Sequence, residues 1–245
     1  EQGKMVDLGI LDVLQIFGRA GRPQYEDMGV SYICTSGEKL PHYIESITSA
    51  HPIESTFLRG IVDALNAEVA LGSVTSLDDG ISWLGFTYLF TRLCKAPRVY
   101  GLDAHDFEAD PTLTQRRRQW ITYAANILAQ HQMIEFDLAA GTLRPTNMGR
   151  IASRYYLSHK TVGIFHERLR NNLVEADALS LMSRAADFDQ IPLRESEEEE
   201  LTSLLESVPC EVDGGTATAP GKVNILLQAH ISYLYVDDFA LVSDT

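Results

Sequence analysis

The chain has 245 residues, enough for one large domain or two small ones, and its 45% hydrophobic and 22% charged content is that of a soluble globular protein. Thirty-four acidic against twenty basic residues give a formal net charge of −14, which excludes a bulk electrostatic grip on nucleic acid because phosphate binding draws on a basic face. No apolar run approaches the roughly 20 residues that a bilayer crossing needs, so no membrane is implied.

The opening "EQGKMVDLGI" has no basic segment followed by an apolar core, hence no secretory signal, and no initiator Met. The sequence is expected to be a piece of a longer one. Over residues 1–51, Asp12 is expected to cap a helix through "VLQIF", with Gly21 ending it and Pro23 preventing its continuation. "GVSYICTS" (Gly29–Ser36) reads as a strand buried on both faces, and "GEKLPHYIESITSA" returns to helical spacing. Helix, strand, helix is α/β punctuation, too short for a complete sheet.

Residues 52–150 change to helices with a hairpin. Phe57, Ile61, Leu65 and Val69 recur at helical spacing up to a Gly72 cap. Ser76 with Asp79 forms a capping box for one helix "LDDGISWLGFTYLFTRLCK", ended by Pro97. Asp110 and Pro111 are the N-cap and first position of "PTLTQRRRQWITYAANILAQHQ", and "MIEFD", "LAAG", "TLRPT" make a hairpin turning at Gly141. Three helices and a hairpin in this length predict a winged helix.

Residues 151–245 are read as mainly helical, with Thr146 capping "NMGRIASRYYL" just before them and Thr161 opening "VGIFHERLRNNL". The run "ESEEEE" is expected to be a solvated first turn favoured by the helix dipole, and "KVNILLQAHISYL" a buried helix. Cys34, Cys94 and Cys210 form no CxxC pair, and the seven histidines have no metal-binding spacing; His159 and His166 are expected on the surface or in packing. The fold class expected overall is mainly α with small β.

Gln15, Arg19 and Arg22 stand at i, i+4 and i+7, on one face of a helix and its last turn. An amide and two guanidiniums together suit an anion, and guanidinium matches phosphate oxygens bidentately. Gly18 and Gly21 keep the backbone low so that another body can approach. Two solvated arginines on a surface turn are the plain alternative, but five fixed positions arise by chance in such a chain with a probability of about 10⁻⁴. "QRRRQW" places Arg116, Arg117 and Arg118 on a winged-helix segment that could meet nucleic acid. Trp120 falls on the apolar stripe with Ala124 and Leu128, so a scaffold role with incidental phosphate contact is the stronger reading there.

The pattern Q-x-x-G-R-x-G-R resembles motif VI of superfamily 2 helicases, and "LDVLQIFGRAGRPQYE" resembles its form in the large DExH helicases with tandem cassettes. "HPIESTF", "WLGFTYLFTR", "MGRIASRYY", "DFDQIPLRESEEEEL" and "GKVNILLQAHIS" resemble segments of the same family in the same order. That resemblance implies the C-terminal end of a second RecA-like domain over 1–51, a winged helix over 52–150, and the start of a helical domain walling the nucleic-acid channel over 151–245. It implies an ATP-dependent 3′–5′ RNA or DNA helicase using ATP and Mg2+, with Gln15, Gly18, Arg19, Gly21 and Arg22 at the nucleotide, Arg22 as arginine finger and Arg19 as a second phosphate ligand. The partners implied are RNA or DNA, the remaining RecA domains and the subunits of a multiprotein complex, in nucleus or cytoplasm. The alternative is an inactive cassette serving as a docking platform. The stretch nearest a P-loop, Gly215–Val223, has one residue too many and Val223 where a hydroxyl is needed. With no P-loop or DExH box, this stretch alone is expected not to hydrolyse ATP.

Overall fold

In a computed structural model, which describes residues 9–21, 25, 28–48 and 53–245, the chain divides into Glu1–Glu54 and Ser55–Thr245. In the first unit α1 (Ile10–Phe17) and α2 (Leu40–Thr48) bury Val13 and Tyr43. Gly9, not Asp12, is the N-cap of α1; Asp12 lies in the first turn, where its charge favours the dipole. The helix ends before Gly18, three residues earlier than Gly21, and Pro23 lies outside the described residues. Gly29–Ser36 is not a strand. A strand needs a neighbour to take its N–H and C=O groups, none pairs with it among the described residues, and Tyr32 is 88% exposed.

The second unit opens on a 3-10 turn, Phe57–Gly60, followed by α3 (Ile61–Leu71), which Gly72 ends at φ 83°. Next come α4 (Leu77–Gly85) and α5 (Tyr88–Lys95). The single helix expected over these residues is broken because Thr87 supplies a second N-cap, accepting from the Phe90 N–H. Ser76 caps α4 as expected, accepting from the Asp79 N–H, but the Asp79 carboxylate returns to the Thr75 N–H and hydroxyl. A short α6 (Ala104–Ala109) precedes α7 (Thr114–Gln130). Asp110 caps α7 from outside, accepting from the N–H groups of Thr114, Gln115 and Arg116, so Pro111 sits in the preceding turn. The hairpin is as expected: β1 (Ile134–Asp137) pairs antiparallel with β2 (Thr142–Pro145), Ile134 opposite Pro145, with Gly141 at φ 66°.

Two further helices, α8 (Asn147–Tyr155) and α9 (His159–Arg168), continue the same core. Leu65, Val69, Leu84, Ile121, Leu128, Met133 and Leu143 pack with Ala152 of α8 and Val162 of α9. Thr146 caps α8, but Ser158 rather than Thr161 caps α9; Thr161 is buried and donates to Asp187. The Asn66 amide donates to the Gly149 carbonyl. A Cβ on Gly149 would overlap the Met133 carbonyl oxygen, with Asn66 Oδ1 at 2.8 Å. Gly149→Ala is therefore expected to cost about 1–3 kcal/mol, the range for overpacking a core, and to lower the urea midpoint of the chain.

The remainder comprises α10 (Glu175–Met182), α11 (Glu198–Ser207), α12 (Ala219–Ile231) and α13 (Phe239–Asp244). Leu201, Leu204, Ile225, Leu226, Ala229 and Leu241 form a second core. One member of the acidic run departs from the solvated reading. Glu197 is 0% exposed, paired with Lys222 Nζ at 2.6 Å and with Arg194. Lys222, also 0% exposed, reaches Asp244 at 2.7 Å and donates to the Pro192 carbonyl at 2.9 Å. Burial alone would raise the Asp244 carboxyl, but hydrogen bonds from Arg194 and Lys222 outweigh it and hold the group below the ordinary aspartate value of 3.8. A depressed carboxylate stabilises the fold above its unfolded pKa, and that contribution disappears as pH falls through the folded value. Thermal melts are expected to show stability dropping below about pH 4, with Asp244→Asn flattening the fall.

Candidate nucleotide-phosphate site

Two residues on from the buried Val13, Gln15 is turned about 200° round α1 and is exposed. The chain stays coiled past the helix end: the Gly18 N–H donates to Leu14 O at 2.9 Å, Arg19 to Ile16 O at 3.1 Å and Ala20 to Phe17 O at 3.0 Å. Arg19 is thus carried on the turn that follows Gln15, and it too is exposed. Arg22 lies outside the described residues.

Neither motif glycine answers a steric need among the described residues. A Cβ on Gly18 would meet nothing nearer than 3.5 Å, and one on Gly21 nothing nearer than 3.7 Å. Gly29 is different, because a Cβ there would overlap the Ala20 carbonyl oxygen. The segment after the motif crosses the Ala20–Gly21 turn at backbone distance and holds it in place. Sequence reading passed over Gly29; its only signal was a glycine leading an apolar run. Behind the turn, Val13, Ile16, Phe17, Tyr32, Ile33 and Tyr43 line a cavity of about 190 Å³.

The three arginines of α7 are engaged within the chain. Arg117 donates to the Ile81 carbonyl at 2.6 Å and to Thr112 O at 3.1 Å, and its guanidinium lies 4.8 Å from the centre of the Phe90 ring. A Cβ on Gly85 would come within 2.8 Å of that guanidinium, so glycine makes room for it. Arg118 pairs with Asp78 at 2.7 Å, and Arg116 lies 3.7 Å from Asp106. Trp120 is half-buried between the two apolar clusters that meet at α7.

His159 packs rather than coordinates. Its Nδ1 lies 3.0 Å from both Asp63 oxygens, and its ring stacks on His131 at 5.8 Å. His166 is exposed. Cys34, Cys94 and Cys210 are free thiols. Among the described residues no group of three His, Cys, Asp or Glu could hold a metal ion, and no helix is long and apolar enough to cross a membrane. Lys222, in the stretch nearest a P-loop, is sealed between two carboxylates and could not reach a phosphate.

Residues 54–129, which hold α3 to α6 and all but the last residue of α7, match the family described as a Winged Helix-turn-helix domain, and residues 145–245 match the Sec63 Brl domain. This pair of matches agrees with the mainly helical fold and with the one hairpin among the described residues. All of the chain is 44% identical to activating signal cointegrator 1 complex subunit 3 of Bos taurus and 45% identical to the RQC trigger complex helicase SLH1 of Saccharomyces cerevisiae. Over 99% of its length it is 41% identical to the DExH-box ATP-dependent RNA helicase DExH14 of Arabidopsis thaliana. The resemblance to the large DExH helicases therefore extends from the motif through the Sec63 Brl domain. The chain spans 11–13% of the length of these relatives.

Proposed function

We propose that the chain is part of an ATP-dependent 3′–5′ RNA or DNA helicase, in which residues 1–51 close the second RecA-like domain and present motif VI to the nucleotide. The observation that carries this reading is the exposed pair of Gln15, on α1, and Arg19, on the turn that follows it, where neither Gly18 nor Gly21 answers a steric need among the described residues. The donor set, an amide and guanidiniums beside bare backbone, fits a terminal phosphate. When bound, ATP supplies the γ-phosphoryl group that is transferred to water. Gln15 and Arg19 would hold its oxygens in place, and Arg22 would meet the negative charge that develops as the bond breaks. P-loop, DExH box and most ligands of Mg2+ belong to the parent beyond these residues.

Winged helix and Sec63 Brl domain would brace the motor and wall the channel, a scaffold role supported by the engagement of Arg116, Arg117 and Arg118 within the chain. The names of two relatives, a cointegrator complex subunit and an RQC trigger complex helicase, favour a place in a multiprotein complex; residence in the nucleus or cytoplasm is proposed with it. ATP hydrolysis by the parent with Arg22→Ala tests the motor reading; unaltered hydrolysis would favour a docking-platform cassette.

A further inference from the structure

Residues 138–166 hold no Asp or Glu, although at the average density of this chain such a stretch would hold about four. They carry Arg144, Arg150, Arg154 and Lys160 instead. The solvent side of α8 lies in this stretch. Gly149 and Ala152 face the core, while Arg150 and Arg154, four residues apart, are exposed beside Met148, Ile151 and Tyr155. Neither arginine has a partner among the described residues, whereas Arg116, Arg118, Arg184 and Arg194 each have a carboxylate within 4 Å.

The helix ends on two tyrosines that the fold does not use. Tyr155 is 66% exposed and Tyr156 is 92% exposed, the latter at φ 59°. The left-handed position after a helix favours Gly or Asn, and a side chain that stays in water recovers none of its cost by burial. A residue that breaks a local rule without a packing gain marks function. Exposed aromatic rings beside unpaired guanidiniums, on a helix that itself carries no acid, are the elements of a sequence-tolerant single-strand platform: rings stack on bases and arginines track the backbone.

We propose that the C-terminal end of α8 binds single-stranded nucleic acid, with Tyr155 and Tyr156 stacking on bases and Arg150 and Arg154 contacting phosphates. This deepens the helicase reading and rests on it. The chain offers its own control in Tyr233, which is 95% exposed at φ 55° but is followed by Asp237 and Asp238 without a nearby arginine in sequence.

The test is fluorescence anisotropy of a short fluorescein-labelled oligouridylate titrated with the 245-residue chain across a salt series. Wild type should bind saturably, and Tyr155→Ala/Tyr156→Ala should weaken binding at least about tenfold. Arg150→Gln/Arg154→Gln should lower the log–log salt slope by about 1.4, the value for two phosphate contacts on a single strand. Tyr233→Ala should bind as wild type, and Tyr156→Gly should melt no lower than wild type. Absence of saturable binding by wild type, as expected if α8 faces an acidic protein surface, would overturn the proposal. Equal binding by the tyrosine or arginine variants, or an equal loss in Tyr233→Ala, would overturn it as well. None of these outcomes depends on Arg22, so failure here and failure of the motor reading are separately visible.

Discussion

Arg22→Ala in the full parent chain is expected to lower nucleic-acid-stimulated ATP hydrolysis by about 10³-fold or more, the low end of what an arginine finger contributes in P-loop enzymes. The effect should fall on kcat rather than on the KM for ATP, because the guanidinium acts where charge develops in the transition state. Arg22→Lys should recover little, since an ammonium cannot present two parallel donors to phosphate oxygens. Arg19→Ala should raise KM as well as lower kcat, in keeping with a ligand that holds the ground state. Steady-state kinetics under saturating nucleic acid separate the two roles. Hydrolysis unchanged in Arg22→Ala would sink the finger assignment and leave this cassette a platform for other subunits.

The second large effect concerns stability. Lys222→Met should destabilise the chain by about 3 kcal/mol, the lower end of the cost of breaking a buried ion pair, because Glu197 and Asp244 keep Arg194 as a partner. Glu197→Met should cost a similar amount by stranding the Lys222 ammonium beside Asp244 alone. The double variant Lys222→Met/Glu197→Met should lie closer to wild type than either single change, since removing both charges removes the desolvation cost with the attraction. Urea denaturation of all four proteins completes the cycle, and strictly additive losses would show that the two charges are not coupled.

Elements set by local chemistry were legible in advance. The Gly72 and Thr146 caps, the Gly141 hairpin and the buried stripe of α7 each follow from residues within a few positions of one another. What was misread depended on distant partners. Thr161 resembles an N-cap in isolation, and only Asp187, brought near by the fold, draws its hydroxyl inward. Glu197 looks like any member of an acidic run until Lys222, 25 residues on, is buried against it. Gly29–Ser36 has the composition of a buried strand, yet strand structure belongs to a pair and not to a segment. At the candidate site, Gln15 and Arg19 could be read from spacing, whereas the service of Gly29 to the turn could not, because close approach of two backbones leaves almost no mark on either one.

The core that begins on α3 runs on past residue 150, into the first helices of the stretch that matches the Sec63 Brl domain. Ala152 and Val162 lie inside it, the Asn66 amide holds the Gly149 carbonyl, and the Asp63 carboxylate accepts from the His159 N–H at 2.6 Å. Where two domains share side chains in this way there is no joint to bend. From α3 to α9 the chain is one packed body, so that a small rotation at its winged-helix end would be passed on undiminished to α8 and α9.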